Sequence, residues 1–218
     1  MSSWETWIDE DQQGTGDTVM SFHPQMDYGR GHHKSARPLP EEGPAFVYTA
    51  DNAAKLDEIC ARYPPEHRKS AILAALYLAQ HQQGYLTRNA MRHVAEAIGC
   101  TTADVEDVVS FYTMFYTRPV GRHVLQVCRT LSCALGGAER VTAALAKTLG
   151  IAPGETDANG EFTLLEVECL GACDRAPVVG VNDHWHECQN PDDVRALVDG
   201  LRAQGAAALT GCHLKVEK

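Results

Sequence analysis

Residues 123–133 run His123-Val124-Leu125-Gln126-Val127-Cys128-Arg129-Thr130-Leu131-Ser132-Cys133. The residues before Cys128 have strand-forming character, and Cys133 follows in what reads as a loop. Gly136-Gly137 then opens a helix whose apolar face is Ala138, Val141, Leu145 and Leu149. Pro153-Gly154 and Asn159-Gly160 mark turns, and Phe162-Thr163-Leu164-Leu165-Glu166-Val167 supplies a return strand ending at Cys169, with Cys173 in the loop beyond. A strand, a helix and a second strand of these lengths form a right-handed crossover with parallel strands. Their C-terminal ends then lie side by side, so two cysteine pairs far apart in sequence meet at one end of one sheet.

Downstream, residues 177–181 and 184–187 read as a hairpin about Asn182-Asp183. A last helix follows, with Asn190 as cap, Pro191 at its first position, Asp192 and Asp193 at the positive dipole end, and Val194, Leu197, Val198 and Leu201 inward. The unit is β-α-β-β-β-α. Upstream the period changes to helical, through Leu56, Ile59 and Cys60, then Ile72, Leu73, Leu76 and Ala79, then Met91, Val94, Ala95 and Ile98, then Val105, Val108, Val109 and Tyr112. Pro64-Pro65, Gly84, Thr87, Gly99 and a Thr101-x-x-Asp104 capping box punctuate four amphipathic helices, and Pro119 with Gly121 closes them. The expected class is α+β: a helical bundle over 46–120 followed by an α/β domain over 121–205, with a flexible acidic extension over 1–45 and a tail over 206–218.

Composition bounds what such a chain does. At 218 residues and 23.8 kDa it makes one large or two small domains, and its formal charge of −10 has the wrong sign for nucleic acid or anionic lipid. Residues 1–45 carry Arg30, Lys34 and Arg37 against eight Asp and Glu, so half of that charge lies in the extension. Gly29-Arg30-Gly31 within it lacks the flanking strand and helix of a phosphate loop. The longest apolar run, 71–79, is too short for a membrane span. The start, with Trp4, Glu5, Trp7, Asp9, Glu10 and Asp11, has neither a secretory nor a mitochondrial pattern. The expected location is a bacterial cytosol.

Eight cysteines in a reducing compartment point to metal or redox chemistry. Thiolates are soft donors, and four of them select zinc or an iron–sulfur cluster. Cys128-x4-Cys133 and Cys169-x3-Cys173 are wider than the usual zinc knuckle and suit the two ends of a [2Fe-2S] rhomb, while zinc stays open. Gly171 and Ala172 let backbone approach the cluster, and the helix opened by Gly136 and Gly137 would present its N-terminal dipole. Arg129 and Arg175 either point inward, raising the potential, or are solvated. Cys60 and Cys100 read as buried small side chains. Cys188, near His184 and His186, leaves a weaker second-metal alternative. A Rieske centre would replace one cysteine pair by histidines, whereas all four cysteines are present, and no Cys-x-x-Cys exists for dithiol exchange. Phe111, Tyr112, Phe115 and Tyr116 are expected to pack the two domains together, and Trp4 and Trp7 to dock the extension on a neighbouring subunit.

Asp107-Val108-Val109-Ser110-Phe111-Tyr112, Arg118-Pro119-Val120-Gly121-Arg122-His123, the Cys128 to Cys133 loop, Gly160-x-Phe162-Thr163-Leu164-Leu165 and Cys169-Leu170-Gly171-Ala172-Cys173-Asp174-x-x-Pro177 together resemble one family over 49–203. It is the thioredoxin-like [2Fe-2S] component, the E chain, of bacterial NADH:quinone oxidoreductase, respiratory complex I. The resemblance implies a helical N-terminal bundle, a thioredoxin-like [2Fe-2S] ferredoxin domain, and ligation by Cys128, Cys133, Cys169 and Cys173. It further implies docking on an F-type subunit that binds NADH and FMN, single-electron exchange with that flavin, and placement among peripheral-arm subunits at the cytoplasmic face of the inner membrane without insertion. Relatives of the same build serve NAD-dependent formate dehydrogenases and NAD-reducing or bifurcating hydrogenases. No Gly-x-Gly-x-x-Gly follows a strand, so the chain alone is expected to carry electrons without a catalytic residue or substrate site of its own.

Overall fold

The helical period upstream of Gly121 forms α1 (Ala50–Cys60), α2 (Ile72–Gln83), α3 (Arg88–Ile98) and α4 (Thr102–Phe111) in the computed structural model, which describes residues 40–205. The punctuation acts as capping chemistry dictates. Thr87 Oγ1 accepts the Ala90 amide at 3.2 Å, and Gly99 ends α3 in the left-handed region. Thr101 and Asp104 bond reciprocally, Asp104 N to Thr101 Oγ1 at 3.2 Å and Thr101 N to Asp104 Oδ2 at 3.1 Å. Between α1 and α2 the Pro64-Pro65 break is filled by a 3₁₀ segment, Pro65–Ala71. Leu76, Leu86, Met91, Val94, Val105 and Phe115 are fully buried in the helical core.

Beyond Gly121 come β1 (His123–Cys128), α5 (Leu131–Gly136), α6 (Ala138–Leu149), β2 (Phe162–Val167), β3 (Val179–Val181), β4 (His184–His186) and α7 (Val194–Gln204). The sheet order is β2-β1-β3-β4. Strands β1 and β2 are parallel, with His123 opposite Phe162 and Cys128 opposite Val167, while β3 is antiparallel to both its neighbours. Helix α6 packs on β1 and β2 and against α7. A second core gathers Leu125, Val127, Val141, Leu145, Phe162, Leu164, Val198 and Leu201. A helical bundle followed by an α/β unit, the expected class, is the architecture observed.

Several local expectations change. Cys133 does not lie in a loop; it sits in α5, a short helix ended by left-handed Gly137, and α6 begins only after that. Strand β2 stops at Val167, before Cys169. Helix α7 starts at Val194 rather than Pro191, because Asp193 N donates to Asn190 O at 3.1 Å and closes a turn first. The aromatic run divides. Phe115 is buried in the helical core and Tyr112 packs against it, whereas Phe111 is 72% exposed. Tyr116 makes the cross-contact, its hydroxyl accepting from Gln126 Nε2 at 3.0 Å. Trp4, Trp7, the Gly29-Arg30-Gly31 stretch, Cys212 and the tail over 206–218 lie outside the described residues. Among those residues no helix is long and apolar enough to cross a membrane.

Candidate metal centre

The parallel register brings the C-terminal ends of β1 and β2 together, and both cysteine pairs leave from there. Cys128 closes β1 and Cys133 faces it from α5; both are 2% exposed. Cys169 lies on the loop after β2, and Cys173 begins a 3₁₀ turn, Cys173–Arg175. Both of these are exposed. Their sulfurs are 3.5 Å apart. Two thiolates on one tetrahedral metal, with bonds of about 2.3 Å, stand about 3.8 Å apart, so this pair is already spaced as donors to a single iron.

Electrostatics tie the pairs into one site. Burial pushes the Cys128 thiol up, but the Thr130 hydroxyl and amide, the Leu170 amide and the Cys133 thiol together hold it below the ordinary value. Burial and the neighbouring Cys128 raise Cys133 to about 11, with Cys173 adding to the rise. Cys169 is held down, chiefly by the Gly171 amide, which donates to its sulfur at 3.4 Å, and then by Cys173 and Thr130. Cys173 is raised by Cys169 first, with a contribution from Cys128. Each pair thus contains one thiol held down and one pushed up beside it, and a cation bound by all four would favour the thiolate form of each.

Among the described residues no three His, Cys, Asp or Glu side chains gather as ligands of one metal ion would. The four sulfurs are linked, Cys128 with Cys133 and Cys169 with Cys173, with weaker interactions between the two pairs. Cys188 is exposed, in the left-handed region at φ 51°, with its amide donating to Arg175 O at 2.8 Å. Cys60 is buried in the helical core, and Cys100 packs against that core with its thiol pushed up by burial.

The glycine readings need adjustment. Gly171 has φ +84°, and a Cβ there would meet only Trp185, at 4.0 Å, so backbone conformation selects glycine rather than crowding by protein atoms. A Cβ on Gly136 would press on Pro177 at 3.2 Å. The two arginines do not lie free: Arg129 Nε stands 3.8 Å from Glu168 Oε1, and Arg175 pairs with Asp174 and Glu187 at 3.5 Å each. Each guanidinium group thus has a carboxylate beside it at the pole where the cysteines gather. Cysteine spacing does not point to Thr130 and Ser132, whose hydroxyls bond to Cys128 and Cys173 respectively. The available signal is two hydroxyl residues inside the first cysteine loop.

Fold and site together define an iron–sulfur type of thioredoxin-like protein. The chain belongs to the thioredoxin-like [2Fe-2S] ferredoxin family, which matches residues 56–202. It is 44% identical to subunit 2 of the NADH-quinone oxidoreductase of Thermus thermophilus over 68% of this chain and 82% of that one. It is 40% identical to the E subunit of the NADH-quinone oxidoreductase of Mycobacterium tuberculosis over 79% of this chain and 72% of that one. Among solved structures it is similar to an NAD+-reducing [NiFe]-hydrogenase in the H2-reduced state, with a TM-score of 0.56 and 20% identity over 65% of this chain and 25% of that one. At that identity the likeness concerns the fold.

Proposed function

We propose that the chain is the electron-transfer subunit of the NADH-oxidising module of an NADH:quinone oxidoreductase, with one [2Fe-2S] cluster held by Cys128, Cys133, Cys169 and Cys173. The observation that carries this reading is the alignment of Cys128 with Val167 across adjacent parallel strands, which sets both thiol pairs at one pole of the sheet. Relatives at 40% identity or more that bear the name of that oxidoreductase support the assembly. Such a cluster accepts and returns one electron at a time. Cys128 and Cys133 hold the inner side in a dry environment, and Cys169 and Cys173 give the outer side to the surface. Leu131 and Leu135, 75% and 81% exposed on the helix that carries Cys133, offer apolar contact beside the ligands to the subunit bearing NADH and FMN. The chain then belongs at the peripheral arm, on the cytoplasmic face of the membrane, and divides into a bundle over 46–120 and a cluster domain over 121–205.

Anaerobic purification with iron and acid-labile sulfide analysis tests the chemistry. The expected result is two of each per chain and an EPR signal on reduction; stoichiometric zinc overturns the reading. The fold shared with the hydrogenase is also compatible with a second assembly, a diaphorase module of the same build. Identifying the chains that copurify decides between them: a quinone-reducing set supports the first, a hydrogenase or formate dehydrogenase set the second.

A further inference from the structure

We infer that Thr130 sets the electron affinity of the centre through a hydrogen bond from its hydroxyl to the sulfur of Cys128. The inference rests on the reading that Cys128 is a thiolate ligand. Thr130 occupies the N-cap of α5, where a threonine hydroxyl ordinarily accepts an amide of the first turn. Its backbone, at φ −79° and ψ 171°, suits that role, yet its side chain makes no cap bond. The oxygen stands instead 3.2 Å from Cys128 Sγ. A ligating sulfur carries no proton, so the hydroxyl is the donor; Cys169 is a second acceptor for the same proton, and the 3.2 Å contact is the one to Cys128.

The location gives the bond its effect. Cys128 is 2% exposed, and a hydrogen bond to a charged acceptor strengthens as the surroundings lose water. An added electron increases negative charge on the sulfurs, so Thr130 stabilises the reduced state more than the oxidised one and raises the potential. The hydroxyl keeps its own proton throughout, and the effect is independent of pH. Arg129, the charged residue next in sequence, pairs with Glu168 at 3.8 Å. Thr130 is therefore a positioning and tuning residue, distinct from the ligands.

The test compares Thr130→Val, which keeps the shape and removes the hydroxyl, with Thr130→Ser, which keeps the hydroxyl. Both are made in the full chain, loaded anaerobically, and titrated by EPR at pH 7 and pH 9. At a fixed ambient potential the reduced-to-oxidised ratio in Thr130→Val is expected to fall roughly three- to tenfold, tenfold being about 59 mV for one electron. Thr130→Ser is expected to stay near wild type, with the difference equal at both pH values. A fully loaded Thr130→Val with the wild-type potential overturns the inference and leaves the ligand assignment standing. A wild-type chain without iron overturns the ligand assignment itself. Should Thr130→Val fail to load, Thr130→Ala replaces it; if neither loads while Thr130→Ser does, the hydroxyl holds the cluster rather than tuning it, and the inference falls.

Discussion

Gly121 donates its amide hydrogen to Thr163 Oγ1 at 2.6 Å, and a Cβ on Gly121 would lie 2.6 Å from the backbone carbonyl carbon of Phe162. No side chain fits between the entry to β1 and the start of β2. Gly121→Ala is expected to destabilise the protein by about 1–3 kcal/mol through overpacking, read as a lower urea midpoint. An unchanged midpoint would show that the strands separate freely there.

Substitution of Cys128, Cys133, Cys169 or Cys173 by serine should each remove most of the visible absorbance and the bound iron. Cys188→Ser and Cys60→Ala should leave both at the wild-type level, since Cys188 joins no ligand group among the described residues and Cys60 is core. Iron loss in Cys188→Ser alone would enlarge the ligand set.

His123 begins the strand that Cys128 ends. It is 3% exposed, neither ring nitrogen has a partner, and its ring lies 5.5 Å from that of Phe162. Burial holds its pKa below the usual value, the adjacent Arg122 adds to the depression, and Glu161 opposes it. Arg202 lies over the Phe162 ring, its guanidinium carbon 5.4 Å from the ring centre. The unfolded chain therefore binds a proton before the folded one does. The stabilising contribution is complete above the unfolded value of about 6.5 and declines as pH falls below it. In His123→Leu that decline should be absent, so the urea midpoint of the wild-type protein should fall relative to that of the variant from pH 7.5 to pH 5.5. Parallel midpoints across that interval would defeat the prediction.

Leu131→Glu with Leu135→Glu should leave iron content and the EPR spectrum unchanged. Electron exchange with the flavin-bearing partner should slow, because charge replaces apolar contact beside Cys133. Equal exchange rates in stopped-flow reduction would place the partner elsewhere.

Much of this was legible in the residues themselves. Hydrophobic spacing located the helices through Ile98 and Val109, and Thr87, Gly99 and the Thr101–Asp104 box set their ends, because caps are local chemistry. The crossover rule placed Cys128 beside the second cysteine loop without coordinates. What escaped depended on contacts distant in sequence. The short helix holding Cys133 has too few residues to show a period, and Phe111 and Phe115 look alike in sequence though one faces solvent and the other the core. Glu168 and Glu187 could not be assigned to Arg129 and Arg175 until the loops had positions.

The parallel pairing of β1 with β2 also imposes an order on biogenesis. A ribosome releases Cys128 and Cys133 before Cys169 and Cys173, and on the proposed ligand set the two pairs stand at one pole only once the crossover has closed. On that ligand set, insertion of iron and sulfide follows closure of the β1–β2 crossover.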